Sequence, residues 1–290
     1  MTGGRFCGIL PFRMKILIVG AKGMLGSALA EEFKEGNEVV ALGHDQLDVS
    51  EQSAIASTVT SDFDMIINAA AMNDIDGAEQ KLDETMKANA YPSAAFSEIC
   101  SLMGMIYVVF SSEHVFPGKD NRGYREKDKV EPLSVFGQSK VQAEKFALEN
   151  DRTYVIRTSR LFGDRGNSPN AKASFIEKIR DAARTQGSVN SVHDEVVSPT
   201  YVKDLAKAVR EIVDKKMPFG VYHVTNSGYA TWYQLSAKIV ELSKINATVT
   251  PVSRKEMPSV APRPRYGMLI NTKLPQLRSW EDALAEYLVE

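Results

Sequence analysis

Three glycines spaced as Gly20-Ala-Lys-Gly23-Met-Leu-Gly26 are the residues whose type and spacing point most directly to a ligand. Glycine permits a tight turn and a close approach of phosphate to backbone N–H groups, and a helix opening at such a turn presents its positive end to an anion. The pattern predicts a pyrophosphate site built from Gly20, Lys22, Gly23, Met24, Leu25 and Gly26, against the plain alternative of a glycine-rich turn without ligand. At the end of the next apolar run, where a carboxylate would grip an unmodified ribose, the chain reads Ala41-Leu42-Gly43-His44. Lys22 and His44 offer positive charge for a 2′-phosphate instead, which favours NADP(H) over NAD(H); a solvated surface lysine is the other reading of Lys22. Asp48, followed by Val49, is placed to reach an adenine edge or simply to form a turn.

Such residues act only when ordered elements hold them. Residues 15–19 form a short β-rich run, 25–33 a helical stretch and 38–42 another apolar run, which together read as a βαβ unit. The alternation continues with strands expected at 65–69, 106–110 and 154–157 and helices at 85–102 and 140–149. Short, nearly continuous apolar strands suit a parallel sheet covered on both faces. The predicted fold class is α/β: a Rossmann-type doubly wound parallel sheet over residues 14–160, with residues 161–290 mainly a smaller C-terminal substrate-binding lobe that returns some segments to the first domain. Within that lobe, residues 201–213 have helical periodicity with Thr200 as the expected N-cap, and the segment APRPRYG is too proline-rich for regular structure.

Composition narrows the function classes. The chain has 290 residues, 35 basic against 37 acidic, and a formal net charge of -2, so it lacks the footprint of a protein that holds nucleic acid or anionic lipid by charge. No apolar run approaches the roughly 18 to 20 residues of a membrane-spanning helix. Two cysteines, Cys7 and Cys100, are too few for a disulfide framework, and the four histidines show no metal-ligand spacing. A reduced, cytoplasmic setting is expected. Residues 1–13 lack the long apolar centre of a signal peptide and read as an extension before Met14.

A second constellation, Phe110-Ser-Ser-Glu-His-Val-Phe116 with Phe136-Gly-Gln-Ser-Lys140, joins Asn68-Ala-Ala-Ala71, Arg157-Thr-Ser-Arg-Leu-Phe-Gly163, Ser198-Pro-Thr200, Thr231-Trp-Tyr233 and Arg263-Pro264 in one order along the chain. From Met14 onward the sequence resembles the extended short-chain dehydrogenase/reductases, most closely the dTDP-4-dehydrorhamnose reductase group of nucleotide-sugar reductases. The resemblance implies a nucleotide-sugar substrate, hydride from a nicotinamide, Ser112 as the partner of the substrate carbonyl and Lys140 on the nicotinamide ribose. It adds Asn68, Ala69, Ala70 and Ala71, with Asn89 and Ser198, to the cofactor side. Glu113, Arg160 and Arg263 join Ser112 on the substrate side, with Arg263 suited to a diphosphate. The protein contact it allows is a homodimer or a partner enzyme.

Two positions depart from that group's pattern. The place of its proton-donating Tyr, four residues before the Lys and so on the same helix face, is Phe136. Phenylalanine keeps the ring and has no proton to give. The substitution fits an impaired reductase or a binding-only regulatory subunit, a replacement that traps a complex, or a reductase with another donor, for which His114 is the first candidate. The group's Trp becomes Arg160, which exchanges a stacking indole for a guanidinium that can pair with a phosphate or carboxylate.

Overall fold

The computed structural model describes residues 13–168 and 173–289; the extension read at residues 1–13 therefore lies, but for Arg13, outside the described residues, as does Cys7. Six strands, β1 (Lys15–Val19), β2 (Glu38–Leu42), β3 (Met65–Asn68), β4 (Ile106–Ser112), β5 (Thr153–Thr158) and β6 (Gly220–His223), form one sheet in the order β6-β5-β4-β3-β1-β2. Every pairing in it is parallel. Successive side chains of a strand point to opposite faces, and β1 shows why its sequence is apolar throughout. Ile16 and Ile18 enter one core with Leu29, Phe33, Leu205 and Val209, while Leu17 and Val19 enter another with Ile66, Phe96, Tyr107 and Cys100. A sheet buried on both faces is what near-continuous apolar runs encode.

The helices that concern the site are α1 (Met24–Phe33), α2 (Tyr91–Met103), α3 (Val135–Ala147), α4 (Phe175–Gln186), α5 (Val202–Asp214) and α6 (Trp232–Leu242). Although α5 and β6 come late in the chain, they belong to the large sheet's layer. Helix α5 lies on α1, where Arg210 donates to the Glu32 and Glu35 carbonyls at 3.1 Å each. Beyond β5, Val196–Val197 pairs antiparallel with Ala230–Thr231 and parallel with Tyr266–Gly267, and Ser188–Val192 pairs with Thr248–Val252. Sheet order reverses between β1 and β3, and ligands of such sheets bind outside the carboxyl ends at that point. The glycine turn leaves β1 there.

Three local expectations change. The single helix expected at 85–102 is two, Leu82–Asn89 and α2, because Pro92 at the second position of α2 has no N–H to give and crowds the carbonyl four residues back. Helix α3 starts five residues ahead of residue 140, with the Ser134 hydroxyl accepting from the Gly137 N–H at 3.1 Å, so Phe136 and Lys140 share it. Thr200 does not cap α5. It pairs with Leu161 in a two-residue strand and its hydroxyl donates to the Ser198 carbonyl at 3.1 Å, leaving Tyr201 at the cap position, where its side chain makes no capping hydrogen bond.

Candidate active site

Gly20 has φ +74°, and a Cβ on it would lie 2.6 Å from the Ala70 nitrogen; on Gly26 it would lie 2.1 Å from the Gly20 carbonyl oxygen. Both glycines are thus needed to bring β1, α1 and the end of β3 together. Gly23 is the N-cap of α1, no side chain caps that helix end, and its first turn, which begins with Met24 and buried Leu25, carries no acidic residue. Backbone donors and the helix dipole remain available there to an anion, so the cradle fits a dinucleotide pyrophosphate. Asn68 ends β3 and accepts from the Ala70 N–H at 3.1 Å, which fixes the Ala69-Ala70 backbone against Gly20; Ala71 continues that half-buried segment. A second wall comes from after β5. The Ser168 N–H donates to the Lys22 carbonyl at 3.1 Å, and a Cβ on Gly166 would stand 2.3 Å from the same oxygen.

At the far end of β2 the structure adds a carboxylate that strand-end reasoning passed over. Lys22 Nζ sits 2.6 Å from Asp45, three residues beyond the strand, and its hydrogen bond holds the exposed Asp45 carboxyl below the usual carboxylate range. Gly43 makes room for this pair, since a Cβ there would lie 2.6 Å from Lys22 Cδ. His44 is exposed with Nδ1 3.8 Å from Asp48. Asp48 itself accepts from the Ser50 N–H and hydroxyl at 2.9 and 2.8 Å, and Val49 is buried.

The second constellation gathers where β4 ends. Ser112 Oγ donates to Glu113 Oε2 at 2.6 Å and accepts from the His114 N–H at 3.3 Å, so it caps the 3-10 turn Glu113–Val115. Lys140 Nζ donates to the Phe110 carbonyl at 3.3 Å and stands 5.7 Å from the centre of the Phe136 ring. Burial brings its ammonium down to about 8, with Glu144 opposing. Glu144 is itself engaged by Arg157 at 2.8 and 2.6 Å and by the Ser111 hydroxyl. His114 is 2% exposed and packs edge to face on Phe136, with ring centres 5.5 Å apart at 87°. Its Nε2 lies 3.5 Å from Arg160 Nη2 and 3.9 Å from Glu113 Oε1, while Nδ1 is buried without a partner. Burial pushes its imidazolium down to about 4, against the pull of Glu113.

Arg160 has φ +38°, a backbone rarely adopted by a residue with a side chain, and its guanidinium lies 4.4 Å over the Trp232 ring. Trp232, which packs against the core beside Phe175, carries this stack and donates its indole N–H to Glu195 at 3.1 Å. Arg254 grips Glu195 through two bonds of 2.6 Å. The structure thus brings Ser112, Glu113, His114, Phe136, Lys140 and Arg160 together. Others are engaged by protein partners of their own. Arg263 is held by Asp76 at 3.0 Å through both terminal nitrogens, and the wholly buried Ser198 accepts from the Leu269 N–H at 3.4 Å. Asn89 accepts from the Met72 N–H at 2.7 Å and donates to Ser139 at 3.1 Å, which ties the segment after β3 to α3. Asp45, Asp76, Glu195 and Glu144 were not found by motif. Each is marked only by a distant basic partner, a signal a linear reading does not carry.

An all-parallel sheet with a glycine cradle at its order reversal, and a buried lysine one helical turn from an aromatic ring beside it, defines a Rossmann-type nucleotide-binding protein. Within that class the chain belongs to the RmlD substrate binding domain family, whose sequence profile matches residues 14–290. It is 32% identical over 283 residues to the spore coat polysaccharide biosynthesis protein SpsK of Bacillus subtilis, covering 95% of this chain and 97% of that one. It is 32% identical to the dTDP-4-dehydrorhamnose reductase of Streptomyces griseus, with 94% and 93% covered. Among solved structures, the dTDP-4-dehydrorhamnose reductase of Bacillus anthracis in complex with NADP superposes with a TM-score of 0.90 at 28% identity, over 96% of this chain and 99% of that one.

Proposed function

We propose that the chain is an NADP(H)-dependent reductase of a keto group on a nucleotide-linked sugar. The observation that carries the reading is the side-chain-free cradle of Gly20, Gly23 and Gly26 after β1, at the same carboxyl edge of the parallel sheet as the end of β4, where the buried Lys140 ammonium meets the Phe110 carbonyl. Support comes from the names of the relatives and from the NADP held by the Bacillus anthracis structure. When bound, the reduced nicotinamide supplies the hydride. Lys140 holds the adjoining ribose, a role its single protein bond to a backbone carbonyl leaves it free to take. Ser112 meets the carbonyl oxygen by turning its hydroxyl from Glu113, and Arg160 and Arg263 bind the anionic part of the substrate, the latter by exchanging Asp76 for it.

Phe136 is the feature that sets this site apart, because the phenol route is closed and a missing general acid costs about 10²- to 10⁴-fold. The test is NADPH oxidation with a panel of nucleotide 4-keto-sugars, run beside Phe136→Tyr with cofactor affinity followed in both. Turnover of any keto-sugar by the unaltered chain is expected. Should both proteins bind NADPH and reduce nothing, the family's scaffold serves here as a binding subunit, and the partner it regulates becomes the question.

A further inference from the structure

Asp45 and Lys22 form an open ion pair at the lip of the glycine turn, with 56% and 40% of their side chains exposed, so a ligand can reach either charge. The turn and the end of β2 are joined there, because the Ala21 N–H donates to the Leu42 carbonyl at 3.0 Å. In a sheet of this kind a dinucleotide with its pyrophosphate on the glycine turn lays its adenosine ribose over the end of the second strand. Past Leu42 the chain turns at once. The Gln46 and Leu47 N–H groups both donate to the Gly43 carbonyl at 3.0 Å, the Gln46 amide oxygen accepts from the Gly43 N–H at 3.1 Å, and buried Leu47 anchors the turn. Asp45 is thereby folded back over the strand end, where Lys22 Nζ donates to both of its carboxylate oxygens, at 2.9 and 2.6 Å. Only a glycine at position 43 lets both side chains lie there, since a Cβ on it would stand 2.6 Å from Lys22 Cδ and 2.7 Å from Asp45 Oδ1. The next carboxylate, Asp48, is taken up by the Ser50 N–H and hydroxyl, so Asp45 rather than Asp48 is the acceptor offered at the strand end.

The two charges of this pair suit different cofactors. A ribose 2′-hydroxyl has a proton to donate, and an ionised carboxylate only accepts. A 2′-phosphate pairs with the ammonium and is repelled by the carboxylate, an unfavourable contact of the kind that sets specificity. We infer that Asp45 is a specificity-determining residue: it binds the ribose 2′-hydroxyl of NAD(H), and it occupies on Lys22 the seat of the 2′-phosphate of NADP(H), which displaces it. The inference rests on the cofactor half of the reductase reading and adds to it a carboxylate that admits NAD(H) and opposes NADP(H). Because both side chains are exposed, the exchange moves no buried group.

Equilibrium binding of NADH and NADPH to the full chain and to Asp45→Ala tests it without turnover. Asp45→Ala is expected to weaken NADH by about tenfold, the scale of one charge-assisted hydrogen bond, and to strengthen NADPH by about threefold, the scale of a surface ion pair no longer to be broken. The two affinities thus move in opposite directions. A cofactor variant gives a second reading: NADH lacking the adenosine 2′-hydroxyl is expected to bind the unaltered chain about tenfold more weakly than NADH does, and to bind Asp45→Ala as well as NADH does. Affinities that move together or do not move, or an unaltered chain that binds NADPH and not NADH, overturn the role of Asp45 and leave the reductase reading standing. If the unaltered chain binds neither dinucleotide, the reductase reading falls and takes this one with it.

Discussion

Lys22 shows how one side chain's reading changes once its neighbour is known. From sequence it is a cation beside an expected phosphate; in the structure Asp45 already holds it at 2.6 Å. A cofactor 2′-phosphate would draw Lys22 Nζ from an exposed carboxylate, an exchange that costs little because surface ion pairs are weak. Lys22→Ala is therefore expected to weaken NADPH by roughly tenfold or more, the scale of one charge-assisted hydrogen bond, and NADH much less. Fluorescence titration of both cofactors measures this, and an equal loss for the two would put the 2′-phosphate elsewhere. At this scale the glycines are legible because their spacing is local, whereas Ser112, His114, Phe136 and Lys140 are singled out by the family resemblance that the ordered segments carry. Asp45 is neither. It lies past the strand end where ribose carboxylates are sought, and only the Gly43 turn folds it back over Lys22.

Element by element, legibility followed burial. Strands enclosed on both faces announce themselves as apolar runs, and β1 and β3 fall within a residue of expectation; the half-exposed edge strand β2 does so through its apolar residues alone. The start of helix α3 is obscured in the sequence because Gly137 and Ser139 are poor helix formers and dilute the periodicity ahead of residue 140. Packing explains the glycine: a Cβ at Gly137 would stand 2.4 Å from the His114 carbonyl, so the residue lets α3 press on the 3-10 turn that carries the site. The same reasoning separates the glycines of α1 and its loop. Gly26→Ala places a Cβ against the unyielding Gly20 carbonyl, so α1 must move off β1, and NADPH affinity is expected to fall by more than tenfold with a lowered Tm. Gly36→Ala, at φ +78° with nothing within 4 Å, is expected to cost only about 1 kcal/mol of backbone strain and to leave NADPH affinity alone. Equal effects on affinity would mean that the cradle does not hold the cofactor.

Across the whole molecule the site is closed by pairs far apart in sequence, Asp76 with Arg263, Glu195 with Arg254, and Arg160 over Trp232. No spacing rule finds these, because the parts that bring them together come from the later half of the chain. Two histidines are enclosed the same way. His223, on β6, packs edge to face on Phe116 and lies beside Arg157 and Glu126, and burial pushes its imidazolium, like that of His114, down to about 4. Folded values below the ordinary 6.5 mean that the unfolded chain takes up protons the folded one refuses. Stability from this source is complete above about pH 6.5 and declines as pH falls toward 4, with a slope of about 1.4 kcal/mol per pH unit for each such histidine. Between about pH 6.5 and 5 the carboxylates are still largely ionised in both states, so the histidines dominate the slope there. Urea unfolding across that window is expected to show stability falling with acidity, and His114→Gln to show about half the slope. A flat profile would mean that the folded protein carries these rings charged, and a charged His114 has no free acceptor for Arg160.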